Sequence, residues 1–190
     1  MPREVDTAQR LADIAAATIA VARRSGAHAV TIRSVARELG GSTTLVTNYL
    51  PSRAALVLNA LDQGRDRWDA ERTAELPHTE PTERLRQLVD RSLSSTGDDS
   101  VLRTLILEIV AHAGFEPEMA AALRRESTQF LELLETTAQE AECEDPALVA
   151  QQIYLLYRGA YIASAEDPDR WTEPRLRRVI LAAVDAFPRA

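Results

Sequence analysis

Residues 31–53 read TIRSVARELGGSTTLVTNYLPSR, and their spacing predicts two short helices joined by a sharp turn. Ile32, Val35, Ala36 and Leu39 fall at i, i+3, i+4 and i+7, one apolar stripe of a helix. Thr31 precedes the stripe, where an N-cap hydroxyl is wanted. Gly40-Gly41 ends that helix, and Gly40 stands where the chain must turn with a positive φ. Ser42 is positioned to cap a second helix with Val46, Tyr49 and Leu50 facing inward. Pro51 closes it, and Ser52 can cap the next helix. Thr43, Thr44, Thr47 and Asn48 fall at i, i+1, i+4 and i+5, forming a polar face opposite the apolar one.

Two short helices, a glycine turn and a slim polar face on the second helix are what a helix-turn-helix needs to enter a major groove. Threonine hydroxyls reach phosphates or bases, threonine methyls fit the thymine methyl, and Asn48 can bond adenine through two hydrogen bonds. Free N–H groups at a helix start favour a phosphate, which brings Ser42 into the set. Arg33 and Arg53 open the flanking helices and can flank the groove. The competing reading is a solvated helix surface. The coincidence of paired helices, turn, cap and local basic charge favours double-stranded DNA.

Charge sharpens that reading. The chain carries a net −7, which by itself speaks against nucleic acid. Residues 1–55 nevertheless hold seven arginines against four acids, and residues 56–190 hold 15 arginines against 25 acids. A basic N-terminal part on an acidic body suggests two roles for two halves, 1–55 and 56–190, the first of them DNA binding. All 22 basic residues are arginine, whose fork suits phosphate and guanine. The one cysteine, Cys143, excludes an intramolecular disulfide and is expected to be structural. The N-terminus lacks the apolar region of a signal peptide, and no apolar run approaches the roughly 20 residues that span a bilayer. A cytoplasmic location and no membrane partner are expected.

The remaining chain keeps a helical period. Leu11, Ile14, Ala15, Ile19 and Ala22 form a stripe that stops at Ser25-Gly26. Further helices are expected over 53–73, 82–93, 101–113, 119–141, 147–165 and 175–187, with 101–113 buried on most sides. No stretch alternates with period two. The fold class is all-α, about nine helices: an N-terminal three-helix helix-turn-helix domain and a C-terminal helical domain.

With those residues in place, 31–56 (TIRSVARELGGSTTLVTNYLPSRAAL), preceded by the helix at 7–25, resemble the TetR family of bacterial regulators. Residues 102–134 and the Tyr157-Arg158-Gly159 segment are similar to the BetI-like type of ligand domain. The resemblance implies a homodimer on a palindromic operator, usually a repressor, released by a small molecule. It maps Arg33, Thr43, Thr44, Thr47, Asn48, Tyr49 and Arg53 onto places that often contact DNA. The sequence departs from the family pattern at Thr47, where an aromatic is usual, at Leu50, where phenylalanine is usual, and at Leu45, where a small polar residue is common. Leu45 could pack on a thymine methyl or simply be tolerated.

The C-terminal half is richer in apolar residues than a spacer needs. Tyr154, Tyr157 and Tyr161 share one helical face. Candidate ligand contacts are Trp68, Leu88, Ile109, His112, Phe130, Leu134, Tyr154, Tyr157, Arg158 and Tyr161. An aromatic stripe is more often core or dimer interface, and that reading stays open for each. Arg158 among the tyrosines can pair with Glu108 or bind an anionic ligand; a buried charge needs a partner, which favours pairing. His112 has no second His or Cys at metal-ligand spacing, so no metal is expected. By resemblance, the last two helices pair with their twofold mates through Val149, Ile153, Leu156, Ala160, Ile162, Leu176, Val179, Ile180, Ala183, Val184 and Phe187. No catalytic motif occurs: there is no G-x-S-x-G, P-loop, G-x-G-x-x-G or H-E-x-x-H. No cofactor is expected, only a small-molecule effector. The rival to a DNA-binding regulator is a helical protein-interaction adaptor.

Overall fold

In the computed structural model, residues 7–75, 80–93, 99–112 and 117–189 are described, apart from the side chains of 67–75, 82, 99, 100 and 112. Among the described residues the chain forms nine α-helices, a short 3-10 turn at Ala27–Ala29 and no strand. The helices are α1 (Thr7–Ser25), α2 (Ile32–Glu38), α3 (Thr43–Thr47), α4 (Arg53–Glu75), α5 (Pro81–Leu93), α6 (Asp99–His112), α7 (Pro117–Glu140), α8 (Pro146–Glu166) and α9 (Glu173–Asp185). The all-α expectation is met, with helix ends within two residues of those predicted except in α3, which stops at Thr47 rather than running on to Leu50. No helix among the described residues is long and apolar enough to cross a membrane.

By packing, the chain divides into two units: residues 1–71 with 97–123, and residues 72–96 with 124–190. In the first, Ile14, Val30, Val35, Val46, Leu56 and Leu105 are fully buried in one apolar cluster. This cluster joins α1, α2 and α3 to α4 and α6, so its core runs past residue 55. Thr18 is buried too, and its hydroxyl donates to the Ile14 carbonyl at 2.8 Å. Asn59 on α4 donates to the Leu11 carbonyl at 2.9 Å. Gly64 lets α4 and α6 come close: a Cβ there would lie 2.5 Å from Leu102 Cδ1.

α6 corrects one expectation. Among the described side chains of α6, only Val101, Leu105 and Ile109 are buried, at i, i+4 and i+8, while Val110 is 51% exposed. The helix is half-covered, not enclosed; its apolar composition overstated its burial.

The second unit buries Leu85, Leu88, Leu134, Ile153, Ile180 and Val184. Ion pairs tie its helices at the rim: Arg177 Nε to Asp90 Oδ1 at 2.8 Å, Arg86 to Asp185 at 3.2 Å and Arg84 to Glu140 at 3.0 Å. Cys143 is buried at the α7–α8 turn and bridges to Arg189 through the backbone.

Candidate functional site

The predicted reader is built by local rules. Thr31 accepts from the Ser34 backbone N–H at 3.0 Å, and the Ser34 hydroxyl accepts from the Thr31 N–H at 2.9 Å, a reciprocal box that starts α2. Gly40 turns the chain with φ +67°, a left-handed value that costs glycine little. Gly41 N–H closes the turn onto the Ala36 carbonyl at 2.9 Å. Ser42 behaves otherwise than predicted. Its side chain makes no capping bond; its carbonyl accepts from Leu45 N–H at 3.1 Å instead. Ser52 does cap α4, accepting from Ala55 N–H at 3.1 Å.

α3 is only five residues long, and Val46 is its one buried residue. Ser42, Thr43, Thr44, Thr47 and Asn48 are all exposed, and so is Arg33 on α2. Tyr49 is half-buried against the core, as are Leu45 and Leu50. The departure at Leu45 therefore has an internal explanation: it covers the α2–α3 cluster. Arg53 is not part of the outward set. Its Nε donates to the Val30 carbonyl at 3.0 Å, and its Nη2 to the Ala27 carbonyl at 3.1 Å and to Glu108 at 2.8 Å. Position alone suggested a groove contact; the fold turns this arginine inward as a brace between the α1–α2 connection and α6.

Seven candidate effector contacts belong to the second unit. Leu88 and Leu134 lie in its core. Phe130 meets the Tyr157 ring at 5.3 Å and the Tyr154 ring at 6.4 Å, and Tyr157 meets Tyr161 at 4.7 Å. The Tyr157 hydroxyl donates to the Ser92 carbonyl, and the Tyr154 and Ser127 hydroxyls share a hydrogen bond of 2.6 Å. The Arg158 guanidinium stacks over Tyr154 and pairs with Glu126. Arg158 thus pairs with Glu126 where Glu108 was expected, and Glu108 pairs with Arg53. Burial works to lower the Arg158 pKa, but Glu126 and Tyr154 together hold it above its ordinary value, so the group stays charged. Ile109 is buried in the core of the first unit, and the side chains of Trp68 and His112 lie outside the described residues.

The α8–α9 face divides the predicted dimer residues. Val149, Ile153 and Val184 are buried within the protomer, while Ala160 and Ile180, although nearly covered, contribute to the wall of an open groove. Leu156, Leu176, Val179, Ala183 and Phe187 line the same groove, of about 690 Å³, joined by Leu155, Gly159 and Trp171. Ile162, expected on this face, is 51% exposed, and the apolar residues that sequence reasoning missed are Leu148 and Leu155, exposed by 48 and 69%. Their seven-residue spacing was the available signal: it sets a continuous stripe on one side of α8.

Comparison with known proteins agrees with this architecture. A family model for BetI-type transcriptional repressors, C-terminal, matches residues 81–189. No curated protein matches in sequence. Among solved structures, a transcriptional regulator from Saccharomonospora viridis in complex with choline is 19% identical, with a TM-score of 0.83 over 94% of this chain and 97% of that one. A TetR regulator from Haloarcula marismortui is 20% identical, with a TM-score of 0.82 over 95 and 98%. The regulator FadR of Bacillus subtilis, in complex with stearoyl-CoA, is 14% identical, with a TM-score of 0.75 over 92 and 97%. The likeness to these structures is one of fold. Together with the match across the C-terminal helices, it makes this chain a member of the TetR family of transcriptional regulators, with a BetI-type C-terminal region, and a regulator rather than an enzyme.

Proposed function

We propose that the chain is a cytoplasmic, homodimeric repressor that binds a palindromic operator through α3 and leaves it when a small effector occupies the C-terminal region. The observation that carries this reading is α3 itself. One buried valine anchors it, and Thr43, Thr44, Thr47 and Asn48 are left outward with Arg33 beside them. Residues 1–55 would supply DNA contact, and 56–190 effector binding and dimerisation. The exposed stripe Leu148, Leu155 and Ile162 with the α8–α9 groove supports a second copy of this chain as partner. A twofold dimer would set its reading heads about 34 Å apart, or a multiple of one DNA turn. The choline and stearoyl-CoA complexes of the similar structures support an effector of some kind.

The test is selection of bound sequences from random duplex DNA, followed by titration with Asn48→Ala and Arg33→Ala. Loss of a paired adenine contact costs about 1–3 kcal/mol, or roughly 5–150-fold in affinity. Affinity that is the same in both variants would remove α3 as the reader. A helical adaptor would bind no duplex, at low salt or high, whereas a DNA-binding protein weakens steeply as salt rises.

A further inference from the structure

The α7–α8 seam contains a cation whose surroundings leave it incomplete. Arg158 Nε donates to the Tyr154 hydroxyl at 3.0 Å and Nη2 donates to Glu126. Nη1 is closed off from solvent and has no hydrogen-bond partner among the described residues. Such buried orphans are uncommon, because a guanidinium has five N–H donors and each buried one left unmade carries its full desolvation cost. The aromatic faces are already taken: the guanidinium carbon lies 5.0 Å from the Tyr154 centroid and 5.9 Å from that of Tyr161. The cation that this seam can hold is built in, and what it lacks is an acceptor.

We propose that Arg158 Nη1 receives the carboxylate of a small acid whose apolar body packs on Phe130 and Tyr157. This rests on the effector-responsive reading above and names the chemical class of the effector. A carboxylate is favoured over a neutral carbonyl because it adds the attraction of opposite charges to the hydrogen bond from a largely buried guanidinium. Glu126, the existing counter-ion, is 33% exposed and so partly screened by solvent. Arg124 and Arg125 add positive charge next to it on α7. An amine or quaternary ammonium is disfavoured, since it would meet Arg158 itself.

The experiment uses the full chain with phenylacetate, octanoate and decanoate, each beside the amide and amine of the same skeleton, read by calorimetry and melting temperature. At least one acid is expected to bind, about tenfold or more tighter than its amide, with no binding by its amine. Arg158→Met should abolish that binding. Glu126→Gln keeps an acceptor for Nη2 and removes the competing charge, so it should tighten acid binding severalfold, and it tests the idea even where Arg158→Met fails to fold. Failure of all three acids to bind, equal binding by an amide or amine, or weaker binding in Glu126→Gln would overturn the assignment and leave Nη1 to an ordered water. The regulator reading is tested apart from it. A selected duplex released only by neutral or cationic compounds keeps that reading and sinks the carboxylate; no duplex bound at low salt sinks the regulator reading whichever acid binds.

Discussion

Replacing Arg53 by methionine should destabilise the first unit while leaving its DNA contacts intact. The side chain holds two carbonyls, at 3.0 and 3.1 Å, and one carboxylate at 2.8 Å. Arg53 and Glu108 are 27 and 21% exposed, so water reaches the vacated partners only in part. Each lost carbonyl bond is worth about 1 kcal/mol, and an ion pair at this exposure adds about 0.5–1 kcal/mol. The sum is about 2–3 kcal/mol, and for a chain of this length that lowers Tm by about 4–12 °C. Wild type, Arg53→Met, Glu108→Gln and the double variant form a cycle, measured by urea unfolding at equal protomer concentration. The coupling should come to about 0.5–1 kcal/mol. Binding to the selected duplex is then followed against salt. A brace leaves the slope of log affinity on log salt unchanged, whereas a phosphate contact lowers it by about one. An unchanged Tm together with a reduced slope would refute the inward role of Arg53.

Leu155→Arg, at a site 69% exposed in the protomer, should leave the fold intact and convert a dimer to monomer in sedimentation; a dimer persisting at micromolar concentration would contradict it. Gly40→Ala meets no atom within 4 Å, so its cost is backbone strain alone at φ +67°, about 1 kcal/mol by urea unfolding, and Gly40→Asn should cost less. The hydrogen bond from Arg24 holds the Glu38 carboxyl below its ordinary range. The stability it lends is present at neutral pH and fades as pH falls through that lowered value, and Arg24→Gln should return Glu38 to an ordinary NMR titration. Burial pushes the Cys143 thiol up, so iodoacetamide at neutral pH should modify it more slowly in the folded chain than in urea; equal rates would contradict this.

What the sequence disclosed was mostly local. The α2 stripe, the Thr31 cap, the positive φ of Gly40 and the exposure of Thr43, Thr44, Thr47 and Asn48 all depend on neighbours within one or two turns. They were legible for that reason. Ser42 shows the limit of such reasoning: the residue type suited a cap, but no hydroxyl bond forms there. α8 was harder, because Leu148 and Val149, or Ile153 and Leu155, are equally apolar and only the packing of α5, α7 and α9 decides which faces in. Ion-pair partners were out of reach. Arg158 finds Glu126, 32 residues away, and Arg53 finds Glu108, 55 residues away; neither separation follows from periodicity.

The shared core of α1–α4 and α6 also governs how this reader could be exchanged between proteins. Val30, Val35 and Val46 in the helix-turn-helix segment share one cluster with Leu56, Val57, Leu105 and Ile109. A graft cut at residue 55 would carry the exposed Thr43, Thr44, Thr47 and Asn48 but leave behind Leu56, Val57, Leu105 and Ile109 of the interior that holds them. The transplantable piece is discontinuous: residues 1–71 together with 97–123. A designer, or a recombination event, moving operator specificity into another chain would have to import α6 along with the reader or supply a host helix with the spacing of Val101, Leu105 and Ile109.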